Sequence, residues 1–412
     1  MNISVDGKRL WQRLMDMAVV GATEAGGSNR QALSDEDHAG RKLFEAWCEQ
    51  AGCEIRRDAI GNIFARRQGK NESMPPVLSG SHLDTQPTGG KFDGVYGVLA
   101  ALEVIETLND YNVETNHPIE VVVWTNEEGS RFDCAMMGSA VWSGTLPLED
   151  AYALKDLDGI SVEQELDRLG LKGNFEPDHS IQAAFELHIE QGPILEAEDK
   201  PIGVVTGVQH MCRYRIGFIG QETHAGPSPM SMRRDPMMAA AEFVSQTYAL
   251  AEQYQPDGRV TFGYIHATPG SPNTVPGRVE LTLDLRHPQG TAYHNMQQAV
   301  DAAIDDAADK FKLDWDGGRV WEAPGVVFDT ICIQAVREAA EATGLQAIEM
   351  VSGAGHDACN IASVAPVSMI FIPCDEGLSH NEAENISADQ AAKGADVLLY
   401  AMLSTAVIST PG

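Results

Sequence analysis

The period of the apolar positions changes along the chain, and each change marks an element. Over 5–20, Leu10, Leu14, Met17 and Ala18 recur at helical spacing, and over 37–51 Leu43, Phe44 and Trp47 do the same, predicting two amphipathic helices. The stretch 53–67 alternates around Gly61-Asn62, as a strand pair does. After Pro75-Pro76 comes a strand at 77–81, opening on the apolar pair Val77-Leu78, then a helix over 94–109. The run 118–126 (PIEVVVWTN) is a continuous β-branched run, which predicts a buried strand of a mixed or parallel sheet. Residues 147–172 read as helical and surface-facing, and 185–190 (FELHIE) as a further strand.

Near residue 212 the character shifts. A strand at 214–219, a helix at 235–254, strands at 260–266 and 278–286, a helix at 291–311 and a last strand at 318–322 make a β-α-β-β-α-β unit of ferredoxin-like order. Beyond it the chain resumes α/β character, with helix 329–343, a glycine-bearing loop at 352–358, strand 367–372, a loop at 373–386 and helix 387–407. The expected fold is therefore α/β. A larger catalytic domain (1–212 and 329–412), with a central mixed, mostly parallel sheet flanked by helices, carries an inserted smaller α+β domain (213–328). A chain of 412 residues suits two domains.

Polar residues gather where these strands end. The stretch 80–101 holds His82, Asp84 and Asp93 together with a cluster of glycines, and it hangs from the first parallel strand. Glu127-Glu128 follows the second, His188 and Glu190 lie in the third, and His380 follows the last. Imidazole nitrogen and carboxylate oxygen are the donors that zinc and similar divalent ions take, and paired hydrolytic ions usually share one carboxylate. His82-x-Asp84 suits an imidazole whose second nitrogen is oriented by a carboxylate. Adjacent acids point different ways, so one of Glu127-Glu128 can ligate while its neighbour handles a proton. Taken singly, each feature is more often a structural histidine, a solvated acid pair or a plain turn; their shared placement at strand ends raises a metal site.

The charge balance narrows the partners. With 60 acidic against 29 basic residues, the formal charge is −31. Such a surface repels nucleic acid and anionic lipid, and an anionic small substrate would need a local cation. The seven cysteines (48, 53, 134, 212, 332, 359 and 374) form no CxxC pair and no disulfide framework, so reduced thiols are expected. The N-terminus has no apolar core of signal-peptide length, and no segment is apolar enough to span a membrane, so the expected location is cytoplasmic.

Six stretches, GSHLDTQPTGGKFDGVYGVLA, WTNEEGSRF, ELHIEQGPILE, THAGPSPMSMRRDP, SGAGHDA and LSHNEAE, run in order from residue 80 to 384. In them the chain resembles the M20-type metal-dependent amidohydrolases that cleave N-carbamoyl-L-amino acids, alongside β-ureidopropionase and allantoate amidohydrolase. The resemblance implies two divalent ions per subunit, zinc first, with manganese, cobalt or nickel also suited. His82 and His188 would complete one ion, Glu128 and His380 the other, and Asp93 would bridge them. Glu127 would be the general base and Asp84 a supporting residue, while Glu190 receives no role and is expected to be structural. His224 would help polarise the scissile carbonyl, donated across a homodimer formed by the inserted domain. Asn273 and Arg286 would hold the substrate carboxylate, an arginine fork suiting that group; Gln191 and His356 would be further substrate contacts. From the residues alone, Arg286 reads more readily as a strand-end salt bridge. Allantoate, ureidoglycolate or N-carbamoyl-β-alanine as substrate, an aminoacylase or peptidase of the wider group, and a non-catalytic dimeric binding protein are the competing readings.

Overall fold

The apolar runs of the first and last thirds pair into one large mixed sheet. Its strand order is Glu54–Arg57, Ile63–Arg67, Ile119–Trp124, Val77–His82, Ala183–Ile189, Val367–Ile372, Ile202–Val208 and Val326–Val327, and Ala347–Ser352 also pairs with Ile202–Val208. The four middle strands run parallel, and those on either side of them are antiparallel. Every residue of the four middle strands is buried, as expected for strands covered on both faces. In this computed structural model, which describes residues 3–406, the sheet and its helices form one compact unit from the chain before Val208 and after Val326.

The helix Val95–Asp110 lies against Val77–His82 and is apolar nearly all round, so it is buried nearly all round. Gly7–Val19 and Ala388–Ala406 pack onto it; the expected last residue of that final helix, 407, lies outside the described residues. Leu10, Leu14 and Met17 are buried, while Ala18 is half-buried. In the helix Asp35–Gln50, Phe44 and Cys48 face inward but Leu43 and Trp47 are only half-buried. The buried face there is shared with Arg41, whose Nε meets Asp37 at 2.9 Å and whose terminal nitrogen donates to the Gly61 carbonyl at 2.9 Å. A buried charge must be paired, and this pair takes the space the apolar pattern assigned elsewhere.

Two expectations need correction. Residues 147–172 form two short helices, Leu148–Ala153 and Val162–Leu169, and these are not merely surface features. Ala151, Val162 and Leu166 close a separate small core with Leu33, Ile60, Phe132 and Met137. The strands Ile202–Val208 and Ala347–Ser352 are additions to the expected set.

The unit Val208–Val326 is a four-stranded antiparallel sheet in the order Asp314–Ala323, His210–Ile219, Arg278–His287, Arg259–Thr268, with helices Pro236–Glu252 and Gly290–Phe311. This is the β-α-β-β-α-β order read from the chain. Alternate residues of Arg278–His287 are buried, among them Leu281 and Leu283, and they meet Phe243, Val300 and Ile304 from the helices. The last strand starts at Asp314, earlier than the expected 318, and its register shifts between Arg319 and Trp321. Among the described residues no helix is long and apolar enough to cross a membrane.

Candidate metal centre

The C-terminal ends of four parallel strands come to one edge of the large sheet, where open α/β sheets carry their ligands. His82 is the last residue of its strand, His188 the last but one of its neighbour, and Glu127-Glu128 lies just past Trp124. Ser379, His380 and Glu384 follow in the loop after Ile372. The Nδ1 atoms of His82 and His188 meet the backbone carbonyls of Asp84 and Ile189 at 2.8 and 2.9 Å. A carbonyl only accepts, so Nδ1 carries the proton and each Nε2 presents a lone pair. Those two Nε2 atoms stand 3.6 and 3.1 Å from Oδ1 of Asp93. Its other oxygen, Oδ2, is 3.6 Å from Nε2 of His380, which is itself 3.2 Å from Glu128 Oε2.

Two triads result: His82, Asp93 and His188, and Asp93, Glu128 and His380, in each of which the ligand atoms lie within 4.8 Å of one another. Glu127 stands beside them, its Oε2 3.3 Å from His82 Nε2. Asp84 is placed differently from expectation, because its backbone carbonyl, not its carboxylate, orients His82. The carboxylate instead accepts the N–H groups of Glu127 and Glu128 at 3.3 and 3.2 Å, and so aims the acid pair. The backbone at His82–Asp84 turns its carbonyl inward, a detail that side-chain spacing does not carry.

The electrostatics show what the cluster lacks. Burial pulls the His82 imidazole down, yet Glu127, Asp93, Asp84 and Glu128 outweigh it and hold it well above its ordinary value. The hydrogen bond to Glu128 likewise lifts His380 to about 9. Against the effect of burial, His188 and His82 hold Asp93 well below the carboxylate range. Glu127 goes the other way: burial raises it well above that range, opposed by His82 and reinforced by Asp357 and Glu128. These carboxylates demand positive charge, and without another source the imidazoles must protonate to supply it. Divalent cations meet the same demand with neutral imidazoles, so the donor set fits two closely spaced ions.

A third grouping, Glu186, His188 and His356, is a scaffold rather than a further pair of donors. Glu186 already accepts the Ser81 hydroxyl at 2.7 Å and the Ala358 N–H at 2.9 Å. His356, expected at the substrate, is buried against the His188 ring, 4.7 Å between centroids, with Nε2 3.0 Å from Ser352 Oγ. Burial pushes its imidazole well below the ordinary value. Glu190 is structural, as expected: its carboxylate accepts the N–H groups of Ile194 and Leu195, both at 2.8 Å, at the start of a helical turn.

Gly94 lets the two histidine strands close on Asp93. Its φ is +67°, and a Cβ there would lie 2.3 Å from His82 Nε2. Gly94→Ala is therefore expected to push the imidazole out of the first triad and to add about 1–2 kcal/mol of left-handed strain. Metal analysis of the purified variant should find that site's ion missing, and an intact ion content would contradict the packing argument.

The remaining candidates are separated. Gln191, with φ +57°, donates from Nε2 to Asp93 Oδ2 at 2.8 Å. His224 and Asn273 sit together in the second unit, where Thr274 pairs with His224 and the Ala225 N–H meets the Asn273 carbonyl at 2.9 Å. Arg286 is not with them. It lies opposite Met211, whereas Arg278, next to the Asn273 end, lies opposite Ile219, about 27 Å of strand away. Its guanidinium holds both oxygens of Asp284, at 2.6 and 3.2 Å, the salt bridge that the residues alone suggested. Sequence reasoning gave no role to Ser379, Glu384, Glu186 or Asp357. The one local signal for Glu384 was its place in LSHNEAE, four residues after His380.

A mixed α/β sheet with two adjoining His/Asp/Glu clusters able to hold divalent ions at its parallel strand ends is the architecture of a metal-dependent hydrolase. The model of peptidase family M20/M25/M40 matches residues 78–404, and the chain belongs to that family, among its amidohydrolases of the carbamoylase type. It is 46% identical over 408 residues, 99% of this chain and 98% of the other, to an N-carbamoyl-L-amino-acid amidohydrolase of Rhizobium meliloti. It is 37% identical to an enzyme of the same description from Geobacillus stearothermophilus, across 96% of this chain and 98% of that one. The crystal structure of a hydantoinase/carbamoylase family amidase from Burkholderia multivorans superposes with a TM-score of 0.94 at 49% identity, covering 99% of this chain and 100% of that one.

Proposed function

We propose that this chain hydrolyses the carbamoyl C–N bond of N-carbamoyl-L-amino acids, releasing the amino acid, ammonia and carbon dioxide. The observation that carries the reading is Asp93, a single buried carboxylate whose two oxygens face two different ligand sets, with Glu127 alongside. Full-length likeness to chains of that activity supports the substrate class. In this reading His82 and His188 would hold one ion and Glu128 and His380 the second, with Asp93 common to both sets; zinc suits the donors first, with manganese, cobalt and nickel as alternatives. Bound ions supply Lewis-acid polarisation of the carbamoyl oxygen and acidify water.

Glu127 accepts the proton of the attacking water and delivers it to the departing amino nitrogen; burial, which raises its affinity for a proton, equips it for both steps. Asp84 keeps Glu127 and Glu128 aimed through their N–H groups. His224 donates to the developing oxyanion, and Asn273 and Arg286 hold the substrate carboxylate, Arg286 exchanging Asp284 for it. Because Arg286 and the His224–Asn273 pair stand at opposite ends of the second unit's sheet, the reading assigns them to sites in different subunits of a homodimer. An open edge supports that assembly. The strand Arg259–Thr268 leaves Tyr264 and Ile265 45% and 57% exposed, and the helix Pro236–Glu252 exposes Met238 and Tyr248.

Ammonia release by metal-reconstituted enzyme from an N-carbamoyl-L-amino acid, N-carbamoyl-β-alanine, allantoate and ureidoglycolate tests the reading, with acetylated amino acids and dipeptides as controls. The first should give the highest kcat/KM. Faster turnover of any other compound would replace the proposal.

A further inference from the structure

Glu384 lies in the His380 loop, 1% exposed, and reaches across to the opposite ligand loop. Its Oε1 accepts the N–H groups of Phe92 and Asp93 at 2.9 and 3.0 Å, and its Oε2 accepts the Ser379 hydroxyl at 3.2 Å. The same hydroxyl stands 2.7 Å from Asp93 Oδ2. One hydroxyl has one proton, so Ser379 can donate to Asp93 or to Glu384 but not to both at once. The chain also makes room for the bracket, since a Cβ on Gly90 would fall 2.0 Å from the Glu384 carboxyl carbon.

The two triads are unequally supported. His82 and His188 stand on buried strands with their rings pinned by backbone carbonyls. His380 sits in a loop with φ +52°, and its side chain is 51% exposed. The second triad thus takes its histidine from a loop, and Glu384 and Ser379 tie that loop to Asp93, with Gln191 Nε2 reaching both Asp93 Oδ2 and Ser379 Oγ, at 2.8 and 3.3 Å.

We propose that Glu384 and Ser379 are positioning residues for the second ion, the one held by Asp93, Glu128 and His380. Glu384 gives the Ser379 proton an alternative acceptor, so that Oδ2 of Asp93, which also accepts from Gln191 Nε2 at 2.8 Å, is relieved of one of its two donors when it coordinates, and it sets the distance between Asp93 and His380. The inference rests on the two-ion reading above. In Glu384→Gln the carbonyl oxygen still accepts the Phe92 and Asp93 N–H groups, but the amide cannot accept from Ser379, whose proton stays on Asp93. In Ser379→Ala the link between the loops is gone.

Titration of the metal-free full-length enzyme with Zn2+, followed by calorimetry, separates the cases. Wild type should take two ions. Each variant should bind the first with wild-type affinity and the second about 10–100-fold more weakly, the scale on which outer ligand contacts act. Unchanged affinity for the second ion, or equal weakening of both, would overturn the proposal. A wild-type chain that takes fewer than two ions would instead remove the two-ion reading itself.

Discussion

Asp93→Asn is expected to leave a folded chain that binds neither ion firmly and turns over at less than about one thousandth of the wild-type rate, a loss of about 4 kcal/mol in transition-state stabilisation. The reason is geometric. Oδ1 serves His82 and His188, Oδ2 serves His380, and an amide offers one acceptor oxygen where the carboxylate offered two. The charge matters as much as the shape, because Asp93 is the acid that His188 and His82 hold ionised within a buried site. The backbone N–H of residue 93 still bonds to Glu384, so the fold should survive. Circular dichroism and metal analysis of the purified variant check both halves. Two retained ions would mean that the bridge lies elsewhere.

Glu127→Gln should give the complementary result, full ion content with turnover lowered by about 10²–10⁴-fold, the range that general acid–base catalysis commonly contributes. Glu127 is almost isosteric with glutamine, and its backbone N–H keeps its bond to Asp84. The substitution therefore removes the ability to take and return a proton while leaving the ligands in place. Rate and metal content measured on one preparation are decisive. Near-normal turnover at wild-type ion content would make Glu127 a bystander.

The parallel centre of the sheet is legible in the chain because its strands are short, largely apolar or β-branched runs followed by polar loops. Of the candidate ligands, His82, Glu128 and His188 stand at or beside strand ends and Asp93 and His380 in the loops that follow, and the structure brings all five into two triads. Ile202–Val208 is harder to see, since two glycines interrupt its pattern; Gly203 lies against Phe371 and Met350, where a Cβ would find little room. Ala347–Ser352 is a short, mostly half-exposed strand at the margin of the sheet, and its apolar residues follow directly on a helix, with no turn signal beyond Gly344 to set them apart. Other features are non-local. The bonds from Phe92 and Asp93 to Glu384 join residues almost three hundred positions apart, and no spacing rule reaches that far. Asp84 escapes the pattern for a different reason: its carbonyl and its carboxylate belong to one residue, and backbone direction decides which of them meets the imidazole.

The central claim is that a pair of ions bridged by Asp93 makes this chain a hydrolase of carbamoyl amino acids. Removing metal with a chelator and adding Zn2+ back stepwise, while following ammonia release from an N-carbamoyl-L-amino acid, tests it most directly. Activity should vanish on chelation and return fully only as the second equivalent per chain binds. Undiminished ammonia release from chelated, metal-free enzyme would contradict it.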